Sequence, residues 1–221
     1  MTVAILPMKP PGTGKTRLAD AHDEAFRRAL ATAMFADVLT ALTRSKLVEQ
    51  VVVVTSDFEC ARTAALHDAT YLDDPGLDGH SAAASFGVQH AVAGGAKRVL
   101  LVPGDCPALD PAELDELLAG DCPERSCLVI PDRHGTGTNA LLLTPPDSIT
   151  PSFGPGSRER HLSTAAEAGA HAQAVEVRSL ALDVDTSEDL DALLAHLAEV
   201  RGNAAHTRGF LTQAGRIPRL D

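Results

Sequence analysis

The stretch Val99-Leu-Leu-Val-Pro-Gly-Asp-Cys-Pro-Ala-Leu109 constrains this chain more than any other. Four apolar residues run without alternation into Gly104-Asp105, and Pro107 then takes the backbone out of any regular ladder. An apolar strand with no polar face is buried on both sides, which places it inside a parallel sheet. Open α/β sheets gather their ligands outside the carboxyl ends of the strands. Asp105 is delivered at that edge. Whether it is more than a turn acid depends on what else the chain brings there.

Similar short apolar runs predict strands at 3–7, 51–55, 69–72, 128–131, 140–144 and 174–177, with 98–102 at the centre. Between them, apolar positions at helical spacing predict helices at 23–45, 58–66, 111–118, 158–168 and 187–200, and another from Asp78-Gly79-His80 to about residue 92. Pro111 suits a first helical position. Asp78 or Ser81, Ser157, and Thr186 or Ser187 with Asp189 are the expected caps. The alternation predicts a three-layer α/β/α fold on a mostly parallel, mixed sheet. Trp is absent and aromatics are 3% of the 221 residues, so the core must be built from Ala, Val and Leu. Residues 1–201 read as a single domain. The polar, weakly patterned stretch 202–221 reads as a loosely packed tail.

The charge balance removes several partners. With 30 acidic against 19 basic residues the chain carries −11, which disfavours nucleic acid and anionic membrane. No apolar run approaches the roughly 20 residues of a membrane helix, and the N-terminus lacks the basic and apolar regions of a signal peptide. Cys60, Cys106, Cys122 and Cys127 show no paired spacing and read as reduced thiols of a cytoplasmic protein rather than a disulfide or zinc framework. An acidic protein that binds polyphosphate needs a divalent metal or a few well-placed cations.

Several loops offer such chemistry. Pro10-Pro-Gly-Thr-Gly-Lys-Thr16 looks like the tail of a P-loop, but position 9, where the first glycine belongs, is Lys9. That glycine lets the loop curl round a phosphate. The other use of such a segment is to wrap a nucleotide, with Lys15 as the cation on the triphosphate and Lys9 and Arg17 as nearby candidates. Asp78 stands at a helix start that could face the base or ribose. Gly135-Thr-Gly-Thr-Asn139 and Phe153-Gly-Pro-Gly-Ser157 are rich in hydroxyl, amide and backbone donors suited to a phosphate or carboxylate. Asp183 and Asp185 arrive just before the 187–200 helix.

Together, the Lys15 loop after an N-terminal strand, Gly104-Asp-Cys-Pro-Ala-Leu109 and the two glycine-rich loops resemble the 2-phospho-L-lactate and phosphoenolpyruvate guanylyltransferases of deazaflavin coenzyme F-420 biosynthesis. Asp183-Val-Asp-Thr-Ser-Glu-Asp-Leu190 is similar to the closing Asp-Thr-Pro-Glu-Asp-Leu segment of the wider nucleotidyltransferase superfamily, with Ser187 where Pro is common. The resemblance covers about residues 1 to 200. It implies a nucleotide-diphospho-sugar transferase-like, Rossmann-like nucleotidyltransferase fold. It also implies transfer of GMP from GTP to a phosphorylated three-carbon acid, with Mg²⁺ as cofactor and pyrophosphate leaving. By resemblance Asp105 and Asp185 hold the metal, with Asp183 the close competitor of Asp185, and Lys15 stabilises the triphosphate. Thr138, Asn139, Gly154 and Ser157 hold the acid's phosphate and carboxylate. The alanine-rich, Val/Leu-heavy composition resembles high-GC bacterial proteins and favours phosphoenolpyruvate over 2-phospho-L-lactate. The other readings are a molybdenum-cofactor-type or other small-molecule nucleotidyltransferase, and a P-loop-like NTP-binding protein. Oligomeric state stays open, although an exposed apolar edge on a small α/β domain often pairs as a homodimer.

Overall fold

Hydrophobic strands and helices alternate along the chain as their spacing demands. The computed structural model describes residues 1–10, 18–19, 22–200 and 202–218. Its elements run β1 (Thr2–Pro7), α1 (Glu24–Arg44), β2 (Gln50–Thr55), α2 (Phe58–Leu66), β3 (Thr70–Asp73), α3 (His80–Ala93), β4 (Arg98–Leu101), α4 (Pro111–Ala119), β5 (Ser126–Pro131), β6 (Thr138–Thr144), α5 (Ser157–Glu167), β7 (His171–Ala174), α6 (Ser187–Glu199) and α7 (Ala205–Gln213). The sheet order is β3-β2-β1-β4-β6-β5-β7. β4, the strand of Val99–Leu101, is therefore central, paired parallel to β1 and antiparallel to β6. Only β6 runs against the others.

Alternate residues of each strand feed opposite faces. Ala4, Leu6, Val53 and Leu100 pack with α1, α2 and α4 on one side. Val3, Ile5, Val52, Val99 and Leu101 pack with α3 and α5 on the other. This is the expected three-layer arrangement. α3 lies very close to the sheet at Gly87, where an added Cβ would stand 2.5 Å from Ile5 Cγ2. At Gly104 an added Cβ would strike Met8, so the turn after β4 lies directly on the loop after β1.

Two expectations are corrected. The last strand is His171–Ala174 rather than 174–177. Its register is set by parallel pairing with β5, Ser126 opposite His171 and Val129 opposite Ala174. As an edge strand with polar residues at alternate positions, it carries no long apolar run to read. Val175 and Val177 instead follow the strand and pack into the same core cluster as Leu180 of the 3₁₀ turn Arg178–Leu180.

Residues 202–218 are not loose. α7 packs on α1, with Leu211 fully buried in a third apolar cluster shared by Leu30, Met34, Leu193 and Leu197. Its N-terminus lacks a side-chain cap of its own. Asp37 of α1, only 5% exposed, supplies the cap from a distance, accepting from His206 N at 2.9 Å and Thr207 N at 2.8 Å. A cap that comes from another helix leaves no local signature in the tail.

Among the described residues, no helix is long and apolar enough to cross a membrane.

Candidate active site

The carboxyl end of β4 opens into a cleft of about 440 Å³. Asp78, Asp105, Thr138, Asn139, Gly154 and Asp183 line it. These come from five separate segments, so most of the residues singled out in the sequence meet at one sheet edge. A second hollow of about 230 Å³ adjoins it, lined by Lys9, Ser56 and Asp74 among others. Asp78, Gly79 and His80 border both. The site is thus a two-lobed cleft with the start of α3 as its divide.

Asp105 and Asp183 are brought together by main-chain bonding. Val184 N–H donates to the Asp105 carbonyl at 3.2 Å, pinning the acid loop before α6 to the turn after β4. That loop is then held by a capping box on Asp189. Its Oδ2 accepts from Asp185 N at 3.1 Å, Thr186 N at 2.8 Å and Thr186 Oγ1 at 2.8 Å. Arg133 binds the remaining oxygen of Asp189 at 2.7 Å, tying the acid loop to the segment after β5.

Burial, then the charges of Asp105 and Asp185, push the Asp183 carboxyl up to about 6 against the pull of Asn139. Crowded carboxylates of this kind repel one another until a cation joins them. An all-oxygen donor set is the chemistry Mg²⁺ favours. Among the described residues no three acids, imidazoles or thiolates form a ready-made metal cage. A small cation here would keep several water or phosphate ligands, as Mg²⁺ commonly does. Of the two competing acids, Asp183 lines the cleft, while Asp185 acts on it as a neighbouring charge.

The 135–139 loop differs from its expected use. Asp132 takes three of its amides: Gly135 N on the carbonyl, and Thr136 N and Gly137 N on the carboxylate. Those N–H groups are spent on the turn itself. The register between β5 and β6 then shifts, with Ile130 opposite Ala140 but Pro131 opposite Thr138. Such a bulge re-aims side chains, and it lets the successive residues Thr138 and Asn139 both line the cleft. Asn139 is not a free donor either. Its Nδ2 donates to Leu180 O at 2.7 Å and Asp183 Oδ1 at 3.1 Å, so it positions an acid.

Ser157 is the first residue of α5, and Gly156, in the left-handed region at φ 67°, is the N-cap. The Ser157 hydroxyl is therefore not a cap. It is 1% exposed, beside the cleft rather than on its lining, with no hydrogen-bond partner among the described residues. Asp78 and Ser81 do not cap α3 either, because Gly79 occupies that position. Ser81 Oγ instead accepts from Phe153 N at 2.8 Å, joining the two cleft walls. Lys15 and Arg17 lie outside the described residues. Lys9 is the cation that the described residues bring to the second hollow.

Two histidines were missed in the sequence. His80 lines both lobes and meets Phe153 edge-on at 4.8 Å. Burial holds its imidazole below the ordinary value, Asp105 opposing and Lys9 assisting. His161 bonds both Thr138 and Ser152. It stands four residues after Ser157, one turn along the same helix face, which is the spacing that could have disclosed it. Cys106 is fully buried in the core, in keeping with a spacer rather than a nucleophile.

Comparison with known proteins follows the same lines. Residues 2–217 match the family described as guanylyl transferase CofC like. A phosphoenolpyruvate guanylyltransferase of Conexibacter woesei is 51% identical over 213 residues, covering 96% of each chain. One of Sphaerobacter thermophilus is 38% identical over 195 residues, covering 88% of this chain and 93% of its own. A solved protein of Desulfovibrio desulfuricans G20, assigned to the nucleotide-diphospho-sugar transferases, superposes with a TM-score of 0.75 at 18% identity. It covers 97% of this chain and 95% of its own, and at that identity it shares the fold alone.

Proposed function

Because the chain belongs to the CofC-like guanylyl transferase family, we propose that it transfers GMP from GTP to phosphoenolpyruvate, a step of deazaflavin coenzyme F-420 biosynthesis in the cytoplasm. A phosphate oxygen of the acid attacks the α-phosphorus of GTP, the bond from that phosphorus to the β-phosphate's bridging oxygen breaks, and pyrophosphate leaves. The nucleophile is already an anion, so no general base is needed and positioning with charge stabilisation carries the rate.

The observation that carries this reading is the pairing of Asp105 with Asp183 at the mouth of a two-lobed cleft. In it Asp105 and Asp183 hold Mg²⁺, with Asp185 close by. When bound, that ion supplies charge neutralisation between the phosphates. Lys9 serves the triphosphate in the smaller lobe, and Lys15, outside the described residues, is the second cation of this reading. Asp78 stands on the divide, where the ribose passes. Thr138, Gly154 and Ser157 hold the acid in the larger lobe. The buried, unpartnered Ser157 hydroxyl suits a ligand oxygen, because buried polar groups normally carry a partner. Asn139 acts through Asp183. β3 lies at the sheet edge with Tyr71 exposed, and that edge is where we place a homodimer contact.

The test is pyrophosphate release with Mg²⁺, each nucleoside triphosphate in turn, and phosphoenolpyruvate, 2-phospho-L-lactate or 3-phosphoglycerate. GTP with phosphoenolpyruvate should be fastest. Preference for 2-phospho-L-lactate would move the acid assignment, and no release with GTP and any acid would remove the reading.

A further inference from the structure

His161 is nearly fully buried and stands between two walls of the larger lobe. Its Nε2 accepts the backbone N–H of Ser152 at 2.8 Å. A backbone N–H can only donate, so Nε2 carries no proton. The ring is then neutral with its proton on Nδ1, which lies 3.0 Å from Thr138 Oγ1. Nδ1–H donates and Thr138 Oγ1 accepts. A hydroxyl has one proton to give, and Thr138 has no other side-chain partner among the described residues. Its own O–H is left to point at whatever enters the cleft that it lines. Burial, with Arg160 adding to it, holds the imidazole down to about 4, so the neutral form persists at physiological pH. Phe153 stacks edge-on between His161 at 5.3 Å and His80 at 4.8 Å, so the same ring braces the loop that carries Gly154.

We propose that His161 is a positioning residue for the phospho-acid: its Nδ1–H form clamps Thr138 to the 152–154 loop and commits the Thr138 hydroxyl proton to the acid's oxygens. The inference rests on the acid occupying this lobe, as argued above. A ring that merely filled space would stabilise the fold without separating the two substrates. A clamp on one lobe must act on one substrate.

Steady-state kinetics on His161→Ala, His161→Asn, Thr138→Val and the double variant His161→Ala/Thr138→Val separate these. His161→Ala should raise KM for phosphoenolpyruvate about tenfold, the scale of one hydrogen bond, with KM for GTP within about twofold. The effect should largely vanish in the Thr138→Val background. His161→Asn, whose Nδ2 can replace Nδ1–H, should recover part of the loss. Equal rises in both KM values, or an undiminished His161→Ala effect on top of Thr138→Val, would overturn the inference. Long-range ¹H–¹⁵N NMR of the wild-type histidine rings reads the tautomer without turnover. A protonated Nε2 at His161 between pH 6 and 8 overturns the clamp even if the enzyme is active. An absence of wild-type turnover with a protonated Nδ1 would instead fault the substrate reading while upholding the tautomer.

Discussion

The backbone N–H of Val184 donates to the carbonyl oxygen of Asp105 at 3.2 Å. This bond joins a turn after the central strand to a loop before the sixth helix, and it is flanked by the acids that face the cleft. Asp105 and Asp183 are therefore held near each other by main chain, not by mutual attraction. Their like charges then make the pair a receptor for a cation.

Asp105→Asn keeps the shape of the side chain and removes its charge. Pyrophosphate release should fall at least about a thousandfold, the scale seen when a charge-stabilising group is lost. The thermal midpoint should stay within a few degrees of wild type. Near-normal release from this variant would contradict the assignment of Asp105.

Asp183 gives the metal-free protein a distinctive pH dependence. Its folded-state carboxyl sits at about 6 against an ordinary 3.8, raised by burial and by Asp105 and Asp185. Between those values the folded state binds more protons than the unfolded state, so stability falls as pH rises through the window. The cost is complete above about pH 6 and is on the order of 3 kcal/mol. Asp183→Asn should abolish this slope and raise Tm by several degrees at pH 7.5 without metal. Mg²⁺ should stabilise wild type more than the variant. A Tm that rises with pH from 4 to 6.5 in wild type but not in Asp183→Asn would contradict the account.

Asp189 holds the acid loop through three bonds on one oxygen and Arg133 on the other. Asp189→Ala removes the N3 half of the α6 capping box and leaves the partly buried Arg133 guanidinium only the exposed Glu188 carboxylate at 3.5 Å among the described residues. The loss should be about 2–4 kcal/mol in urea unfolding, together with reduced turnover as Asp183 and Asp185 lose their support. Unchanged stability and kcat would show that the capping box does not order the acids.

Gly87→Ala would place a Cβ 2.5 Å from Ile5 Cγ2 and 3.1 Å from Val54 Cγ2. Both neighbours are β-branched side chains of the sheet and yield poorly. The variant should lose about 1–3 kcal/mol and raise KM for both substrates, since α3 forms the divide between the lobes. Ile5→Ala in the same chain should restore part of the stability. A wild-type Tm would show that α3 has slack.

Much of this was legible because burial is written locally. The run 99–102 could only be a central strand, and Gly104-Asp105 had to emerge at its carboxyl end. The acids before α6 could be read through their capping pattern, Thr186 with Asp189. What escaped notice depends on distant partners. The cap of α7 belongs to Asp37, and the amides of the 135–139 loop are consumed by Asp132. The bulge that aligns Thr138 with Asn139 arises from pairing with β5. Asn139, read as a ligand donor, has its hydrogens on Leu180 and Asp183. Composition could not reveal which of Asp183 and Asp185 faces the cleft, because two acids on alternate positions of an irregular loop have no periodicity to sort them.

The most direct measurement is ³¹P NMR of the protein with Mg²⁺, GTP and phosphoenolpyruvate. The account predicts equal growth of pyrophosphate and of a new unsymmetrical diphosphate diester, with both substrates consumed together and neither product formed by Asp105→Asn. Unchanged GTP, or GTP cleaved to GDP and inorganic phosphate while phosphoenolpyruvate persists, would contradict it.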